Sequence, residues 1–526
     1  MKRLIFSSVF VALWISSFGQ QRPNVILMLA DDMGYSDIAA FGSEVPTPNI
    51  DRLVDRGTSF TQFYNGARCC PTRASLITGL YAHQAGVGYM NQSWNEDGYQ
   101  GHLDDHARTA AEIMKSNDYS TFMVGKWHVG NIKNHQTPFE RGFDRSWWRH
   151  ARVDYFKRNG IMLDGEDWTT EDQHYYLTDY TGNYILEFID ESVKSEKPFF
   201  GYVGWDACHW PLQAKEQYIQ EFLETYEVGW DLIRQQRITN QLELGLIDPN
   251  WSIPGRDPKA PAWSDLSPAD QQKWTRKMAT YAAQLKSLDE NIGRVLDKLD
   301  ELGIADNTYV MILFDNGACA EAIGWQEGNL IGGPDSYTSY NLPWANVSNT
   351  PFRTYKHFLN EGGISTPFII AGPRIPNGVT TSAVGHIIDV VPTILDLTKS
   401  TFPIEKGVKK LEGQSLVPAL KQGATGREWT FWEHEGNRAV RFGDWKLVSR
   451  FVHDTIYFRR WHFPGAPRTQ EWELYNLKDD RTEMNEVSDE NPELVEQMQI
   501  KWQEWADRVG ALQNITSYDG QELKTK

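Results

Sequence analysis

The stretch VILMLADD, residues 25–32, decides the fold. Its first six residues are apolar without interruption, which predicts a strand buried on both faces of a parallel sheet. An Arg-Pro pair precedes the run, and two aspartates end it. A strand covered on both faces needs helices on both sides of its sheet, so this stretch predicts an α/β fold.

Similar apolar runs recur along the chain and alternate with amphipathic patterns. Strands are expected at 120–124, 198–203, 309–314 and 367–371, and helices at about 182–194, 270–302 and 388–397. The alternation predicts a large, mostly parallel central sheet flanked by helices.

Polar residues follow four of these strand-like runs. The residues are Asp31 and Asp32 after the first run, Lys126 and His128 after the second, Asp206 and His209 after the third, and Asp315 and Asn316 after the fourth. Ligands of open α/β sheets gather at the carboxyl ends of the strands. The sequence therefore predicts one functional site at this edge of the sheet.

The pattern of apolar and polar residues changes near Gly413. After this point, shorter alternating runs such as 439–450 precede a helical pattern near 492–509. We interpret residues 20–412 as the catalytic domain and residues 413–526 as a smaller C-terminal α+β subdomain.

The amino terminus carries an export signal. Lys2 and Arg3 precede an apolar run at 4–15, and small residues lead to a plausible cleavage site before Gln20. Residues 1–19 are therefore predicted to be a signal peptide that directs the protein to the periplasm or the medium. An uncleaved membrane anchor is the alternative, but the run is shorter than the roughly 20 residues that span a bilayer. No other segment predicts stable membrane insertion.

Composition narrows the function further. A net charge of -18 argues against nucleic-acid binding, so an anionic substrate would need a local cationic pocket. The 21 tryptophans suit either carbohydrate stacking or an ordinary core. The cysteines, at 69, 70, 208 and 319, are too few and too badly spaced for a disulfide framework.

The sequence CCPTRASLITG, residues 69–79, resembles the signature of the type I sulfatase family, whose first cysteine is oxidised to formylglycine. The resemblance implies an alkaline-phosphatase-like fold, a formylglycine-generating maturation enzyme as partner, and Cys69 as the precursor of the nucleophile. In the family, Arg73 steadies the aldehyde and the metal site. A buried cysteine pair near a helix start is the alternative interpretation.

A metal site is implied by the same resemblance. Asp31, Asp32, Asp315 and Asn316 match the family's four metal-binding positions, to which the modified Cys69 side chain adds a further ligand. Oxygen ligands suit Ca²⁺ or Mg²⁺, and calcium is the usual metal of the family. A lone Asp-Asp pair would more often be a turn or a helix cap.

Four further side chains match catalytic positions of the family. By resemblance, Lys126 and Lys356 bind sulfate oxygens, His128 activates the nucleophile, and His209 protonates the leaving alcohol. Histidine suits proton transfer because its unperturbed pKa lies near 6.5.

Residues that contact the rest of the substrate are expected outside this set of sulfate-binding and metal-binding residues. Segments 344–356 and 432–438 resemble those of bacterial arylsulfatases, many of which act on ulvan, carrageenan, fucoidan or host glycans. Arg353 and His434 are the candidates for sugar contacts. Salt bridging or interdomain packing is an equally good interpretation of each.

The leading hypothesis is therefore hydrolysis of a sulfate ester on a polysaccharide or oligosaccharide. Hydrolysis of phosphate or phosphonate monoesters is the alternative within the same superfamily. A noncatalytic binder of sulfated glycans is a third possibility, which would apply if Cys69 stays unoxidised.

Overall fold

The computed structural model describes residues 22–324, 330–423, 426–450 and 469–512. The predicted signal peptide, residues 1–19, lies outside the described residues. Within them, no helix combines the length and the apolar character needed to cross a membrane.

A ten-stranded sheet forms the centre of the molecule. Its strands are β1 Asn24–Ala30, β2 Gly57–Tyr64, β3 Ser120–Lys126, β4 Arg145–Arg149, β5 Ile161–Leu163, β6 Glu166–Asp167, β7 Phe199–Gly204, β8 Thr308–Phe314, β9 Ser365–Ala371 and β10 Val379–His386. They lie in the order β10-β2-β9-β8-β1-β7-β3-β4-β5-β6, and the five strands from β8 to β4 run parallel. The predicted fold class is confirmed, and all five predicted strands form.

Helices cover both faces of this sheet. The main-domain helices are α1 Pro48–Asp55, α2 Cys69–Thr78, α3 Ala110–Ser116, α4 Leu177–Lys194, α5 Glu216–Tyr226, α6 Trp230–Glu243, α7 Pro268–Glu301, α8 Asn341–Ser348, α9 Glu361–Ile364 and α10 Val390–Thr398. The three predicted helices correspond to α4, α7 and α10.

The side chains of β1 explain why its sequence is uniformly apolar. Ile26 and Met28 belong to one core cluster, which also contains side chains of α4 and α7. Leu27 and Leu29 belong to the cluster on the opposite face, which contains side chains of α2 and α3. Each buried aliphatic side chain contributes about 1.5–3 kcal/mol, so a polar residue on either face would be costly.

Trp230 and Trp263 of the segment 226–265 pack in the core and do not form a carbohydrate platform. Trp230 is fully buried, and its ring meets those of Trp263 and Trp344 edge-on, with centroids 4.7 and 5.7 Å away. Edge-to-face packing of this kind is a stabilising core arrangement. For these tryptophans the core interpretation is correct.

The C-terminal part folds as a four-stranded antiparallel sheet with one long helix. Its elements are α11 Val417–Gln422, β11 Trp429–His434, β12 Asn437–Phe442, β13 Trp445–Arg450, β14 Thr469–Asn476 and α12 Pro492–Val509. Glu435 and Gly436 both have positive φ, 53° and 80°, and join β11 to β12 in a two-residue turn of the kind that matches the strand twist. The division at residue 413 stays a prediction.

A buried ion network joins the small sheet to the main domain. Lys446 on β13 lies 2.9 Å from Glu361 on α9 and 3.0 Å from Glu483, and Arg481 lies 3.1 Å from Glu361. All four side chains are buried. Removing one partner of such a network leaves an uncompensated charge away from water.

We expect Lys446→Ala to lower the free energy of unfolding by about 3–5 kcal/mol, because two carboxylates would lose their shared cation. Lys501→Ala is the control, since its partner Glu504 is exposed and a surface pair contributes at most about 1 kcal/mol. Denaturant titration of both variants measures the difference. Equal losses would show that the network does not stabilise the junction.

Candidate active site

Residues that follow the four parallel strands β1, β3, β7 and β8 lie around one cavity at the carboxyl edge of the sheet. The cavity has a volume of about 790 Å³, and its lining includes Cys69, Lys126, His128, His209 and Lys356. Because β1, β3, β7 and β8 are parallel, the residues that follow them meet at the same edge. The structure thus brings together all the predicted catalytic and metal-binding residues.

Cys69 is the first residue of α2 and lies at the cavity floor, only 2% exposed. A hydrogen bond with Cys70 lowers the pKa of the Cys69 thiol well below its ordinary value against the effect of burial, and the charge of Lys126 acts in the same direction. One ring nitrogen of His128 lies within 4.8 Å of Cys69 Sγ. Cys69 is the cysteine among the described residues that line the cavity.

A cluster of oxygen-bearing side chains lies beside Cys69. The backbone N–H of Asp32 donates to Asp315 Oδ1 at 3.2 Å, and Asn316 Nδ2 donates to Asp32 Oδ1 at 2.8 Å. Asp31 joins them through Arg73, whose Nη2 lies 3.5 Å from Asp31 Oδ2 and 3.1 Å from Asp315 Oδ2. All four predicted metal-binding residues are at most 1% exposed.

This cluster fits a hard cation. Asp31 Oδ1, Asp32 Oδ2 and Asn316 Oδ1 are buried oxygens without a hydrogen-bond partner among the described residues. Burial, and then the charge of Asp31, raises the pKa of Asp315 well above its ordinary value. Unpaired oxygens and crowded carboxylates are what a Ca²⁺ or Mg²⁺ ion satisfies.

Three cations flank the carboxylates. Lys126 contacts Asp31, Lys356 Nζ lies 2.6 Å from Asp32 Oδ1, and Arg73 bridges Asp31 and Asp315. Burial lowers the pKa of Lys126, but the negative charges of Asp31, Cys69 and Asp315 together outweigh it and raise the pKa above its ordinary value. Both lysines therefore present fixed positive charge to the cavity.

The two predicted catalytic histidines both line the cavity and are partly exposed. Desolvation by the surrounding protein lowers the pKa of His128, so its ring is held neutral and ready to accept a proton. Its backbone has a φ of 63°, and Asp32 has a φ of 57°, both in the left-handed region that costs free energy in non-glycine residues. His209 is partly exposed to the cavity, with Nε2 3.5 Å from Asp32 Oδ2.

The two predicted sugar-contact residues lie outside the cavity lining. Arg353 donates to the hydroxyl of Tyr475 at 2.7 Å and lies 3.6 Å from Glu473. His434 is fully buried, with its ring stacked on Tyr89 at a centroid distance of 6.2 Å. Their contacts with substrate stay predictions, and these packing contacts are the alternative considered above.

Sequence reasoning missed several residues of the cavity wall. Glu321 is buried among Arg68, Lys356 and His357, and its Oε2 accepts a hydrogen bond from Trp210 Nε1 at 2.8 Å. No periodic pattern marks Glu321 in its loop. Arg68 could have been suspected from its place directly before Cys69.

Comparison with models of known families identifies the family of this chain. A model of the sulfatase family matches residues 23–400, and a model described as the C-terminal part of N-sulphoglucosamine sulphohydrolase matches residues 353–508. The chain belongs to the sulfatase family.

Two relatives match most of this sulfatase. An uncharacterized sulfatase of Schizosaccharomyces pombe is 31% identical, covering 94% of this chain and 95% of the relative. An arylsulfatase of Klebsiella aerogenes is 34% identical, covering 72% of this chain and 87% of the relative. The sulfatase is accordingly an arylsulfatase-like hydrolase of sulfate esters.

Solved structures share the fold of this sulfatase. A protein crystallised in complex with k-i-k-neocarrahexaose superposes with a TM-score of 0.67 at 24% identity, covering 92% of this chain and 93% of that chain. The alkaline-phosphatase-like architecture implied by the sequence is confirmed.

Proposed function

We propose that this sulfatase removes sulfate from a sulfated polysaccharide or oligosaccharide, using a formylglycine made from Cys69 and a bound calcium ion. The single observation that carries the chemistry is the position of Cys69. It lies at a helix amino terminus and lines the same cavity as the cations Lys126 and Lys356, beside the carboxylate cluster. A sulfate group entering this cavity meets nucleophile and positive charge together.

Formylglycine supplies, when hydrated, one oxygen for attack on sulfur and a second for the release of sulfate, which a serine hydroxyl could not do. The maturation enzyme that forms it is therefore a required partner. The metal would be held by Asp31, Asp32, Asp315 and Asn316, and it supplies positive charge next to the modified side chain of residue 69.

The other steps of the reaction are assigned to side chains of the cavity. Lys126 and Lys356 bind the sulfate oxygens and oppose the negative charge that grows during transfer. His128, neutral and beside position 69, accepts a proton from the nucleophile. His209 donates a proton to the leaving alcohol, and Arg73 holds Asp31 and Asp315 in place.

Two observations support the proposal that the leaving group is a carbohydrate: one residue of the cavity wall, and the ligand of a solved structure with a similar fold. Trp210 lines the cavity directly after His209 and keeps part of its ring exposed, as a sugar-stacking side chain does. A structure of similar fold was solved with k-i-k-neocarrahexaose. Arg353 and His434 remain candidates for contacts with a longer chain.

Export to the periplasm, or secretion, belongs to the same proposal. The signal peptide at 1–19 supports it, and polymeric substrates are met outside the cytoplasm. Residues 20–412 then form the catalytic domain and 413–526 the C-terminal subdomain.

Comparison of paired esters tests the reaction class. We expect 4-nitrophenyl sulfate to be hydrolysed with a far larger kcat/KM than 4-nitrophenyl phosphate or a phenyl phosphonate. A preference for the phosphorus esters would favour the alternative hydrolase of the same superfamily. A panel of sulfated oligosaccharides then identifies the sugar.

Peptide mass spectrometry of protein from its native export route tests the nucleophile. We expect the peptide containing Cys69 to carry an aldehyde. Unmodified Cys69 in active protein would refute this mechanism, and unmodified Cys69 in inactive native protein would favour the noncatalytic glycan binder.

Replacing His209 by alanine should affect substrates differently, according to whether their leaving group needs a proton. An alkyl or sugar sulfate needs a proton on its departing oxygen, whereas 4-nitrophenolate leaves without one. We expect kcat to fall roughly 10²–10⁴-fold on a sugar sulfate and much less on 4-nitrophenyl sulfate. Equal losses on both substrates would show that His209 is not the proton donor.

A further inference from the structure

Arg149 lines the cavity over Cys69 but has no part in the mechanism proposed above. It is the last residue of β4, and it is in register with Lys126 at the end of the neighbouring strand β3. Hydrogen-bonded strands lie about 4.8 Å apart. Arg149 therefore leaves the sheet beside a lysine that is assigned to the sulfate group.

Asp206 fixes the guanidinium of Arg149. Nη2 of Arg149 donates to Oδ1 of Asp206, and the two side chains are only 8% and 2% exposed. Asp206 follows β7, and β3 lies between β7 and β4 in the sheet, so the guanidinium crosses the carboxyl end of β3. An arginine that is buried and paired in this way loses little freedom when it binds a ligand.

One nitrogen of this guanidinium remains accessible. Nη2 contacts Asp206, and Nε is buried without a hydrogen-bond partner among the described residues. Nη1 has no hydrogen bond within the described part of the chain either, but it is not buried, so its N–H groups face the cavity that Arg149 lines. A donor held in this way selects a ligand that has an acceptor atom at the same place.

The turn that carries Asp206 also carries His209. The backbone N–H of His209 donates to the carbonyl oxygen of Asp206 at 2.9 Å, and the hydroxyl of Tyr155 lies 2.8 Å from the carbonyl oxygens of both residues. Arg149 is therefore tied to the residue assigned to protonate the leaving alcohol. The acceptor atom that Arg149 selects then belongs to the leaving group.

The charge of the pair decides what kind of acceptor fits. Arg149 and Asp206 have opposite charges, and Asp206 is not one of the predicted metal-binding residues. The two sulfate-binding lysines differ in this respect, because their carboxylate partners belong to the metal site, where a bound metal ion would balance them. The pair of Arg149 with Asp206 thus has no net charge to attract a second anion, and a neutral acceptor such as a hydroxyl group suits it.

We propose that Arg149 binds a hydroxyl group of the sugar ring that carries the sulfate ester, and that Asp206 is the positioning residue for Arg149. This inference rests on the proposed function, because His209 defines the leaving-group side of the cavity. It deepens that function by requiring a free hydroxyl group on the sulfated ring.

Competition against 4-nitrophenyl sulfate tests the proposal, using the calcium-loaded holoenzyme after conversion of Cys69 has been verified. The competitors are cyclohexyl sulfate and the cis and trans forms of 2- and 3-hydroxycyclohexyl sulfate, which add only the hydroxyl group. We expect the best hydroxy ester to have an inhibition constant about tenfold lower than that of cyclohexyl sulfate, the effect of one hydrogen bond to a charged group. This advantage should persist at about 1 M salt, because a hydroxyl group has no charge to be screened.

The double variant Arg149→Met, Asp206→Asn should lose the hydroxyl advantage, because methionine has no N–H donor. Both charges are removed together, so no buried charge is left unpaired, and circular dichroism checks the fold. The matched control is Arg427→Met, Asp389→Asn. This second buried pair, with side chains 6% and 1% exposed, lies outside the cavity lining, and its variant should keep the advantage.

Asp206→Asn alone separates the roles of the two residues. It keeps Arg149 but removes the charge that balances it, so the cavity wall should then favour an anion. We expect 2-carboxycyclohexyl sulfate to bind the unsubstituted protein no better than cyclohexyl sulfate, and to bind this variant more tightly than cyclohexyl sulfate at low salt. A merely structural role for Asp206 would not change the preference in this direction.

The outcomes distinguish the hydroxyl contact from the reaction itself. Equal inhibition by cyclohexyl sulfate and its hydroxy derivatives, or a hydroxyl advantage that survives in the double variant, would overturn the assignment of Arg149 alone. Tighter binding of the carboxylate ester by the unsubstituted protein would also overturn it, since the pair would then act as a cation. Failure of the converted, calcium-loaded protein to hydrolyse 4-nitrophenyl sulfate would overturn the proposed function as well.

Discussion

Cys69→Ala should reduce kcat by at least roughly ten-thousandfold, because no other side chain of the cavity lining can form the covalent intermediate. The protein should stay folded, since the change removes only one sulfur atom at the cavity wall. Turnover of 4-nitrophenyl sulfate measures the loss, and circular dichroism checks the fold.

Cys70→Ala is the control for the adjacent cysteine. It should retain both the aldehyde at residue 69 and most of the activity, since position 70 is a buried packing position. Substantial activity in the Cys69→Ala variant, or an aldehyde found on residue 70 in the native protein, would contradict the assignment.

Asp31→Asn should lower kcat by roughly a thousandfold, the effect of losing several kcal/mol of charge stabilisation when the metal is lost. Calcium should raise the Tm of the unsubstituted protein, because a ligand at one hundred times its Kd adds about 2.7 kcal/mol to folding. The variant should lose this calcium-dependent shift, and metal analysis of the dialysed protein should find no bound calcium.

Asp289→Asn is the matched control for a buried carboxylate. Asp289 on α7 accepts hydrogen bonds from Asn49 and from the backbone of Ile50, away from the cavity. This variant should lose stability but keep calcium and activity. If Asp31→Asn still showed the calcium-dependent shift, the carboxylate cluster would not be the calcium site.

The sequence predicts the centre of the sheet well because its strands are buried on both faces. A continuous apolar run such as that of β1 has few other structural solutions, and parallel strands must place their carboxyl ends together. Asp31, Asp315 and Lys126 could therefore be assigned to one site from the sequence. The edge strands β5 and β6, only three and two residues long, carry no such pattern.

Side chains held by long loops could not be placed from sequence. The contacts of Glu321 depend on how the segment after Asn316 returns to the cavity, and no periodicity encodes that path. The position of His434, which lies on a strand, could not be predicted either. The register of the hairpin decides whether a given residue of the strand faces the cavity or the core. Burial of Trp230 likewise follows from tertiary packing.

The turn between β11 and β12 brings Glu435 within 3.7 Å of Arg68, the residue before Cys69, and within 2.7 Å of His357. About 370 residues separate Cys69 from this turn, and at roughly 5–20 residues per second a ribosome needs roughly 20–70 s to make them. Since the folded protein buries Cys69, an oxidising enzyme can reach the thiol only during that interval or before the chain folds after export. Under the mechanism proposed above, the time that passes before the chain folds thus limits how much of the protein becomes active.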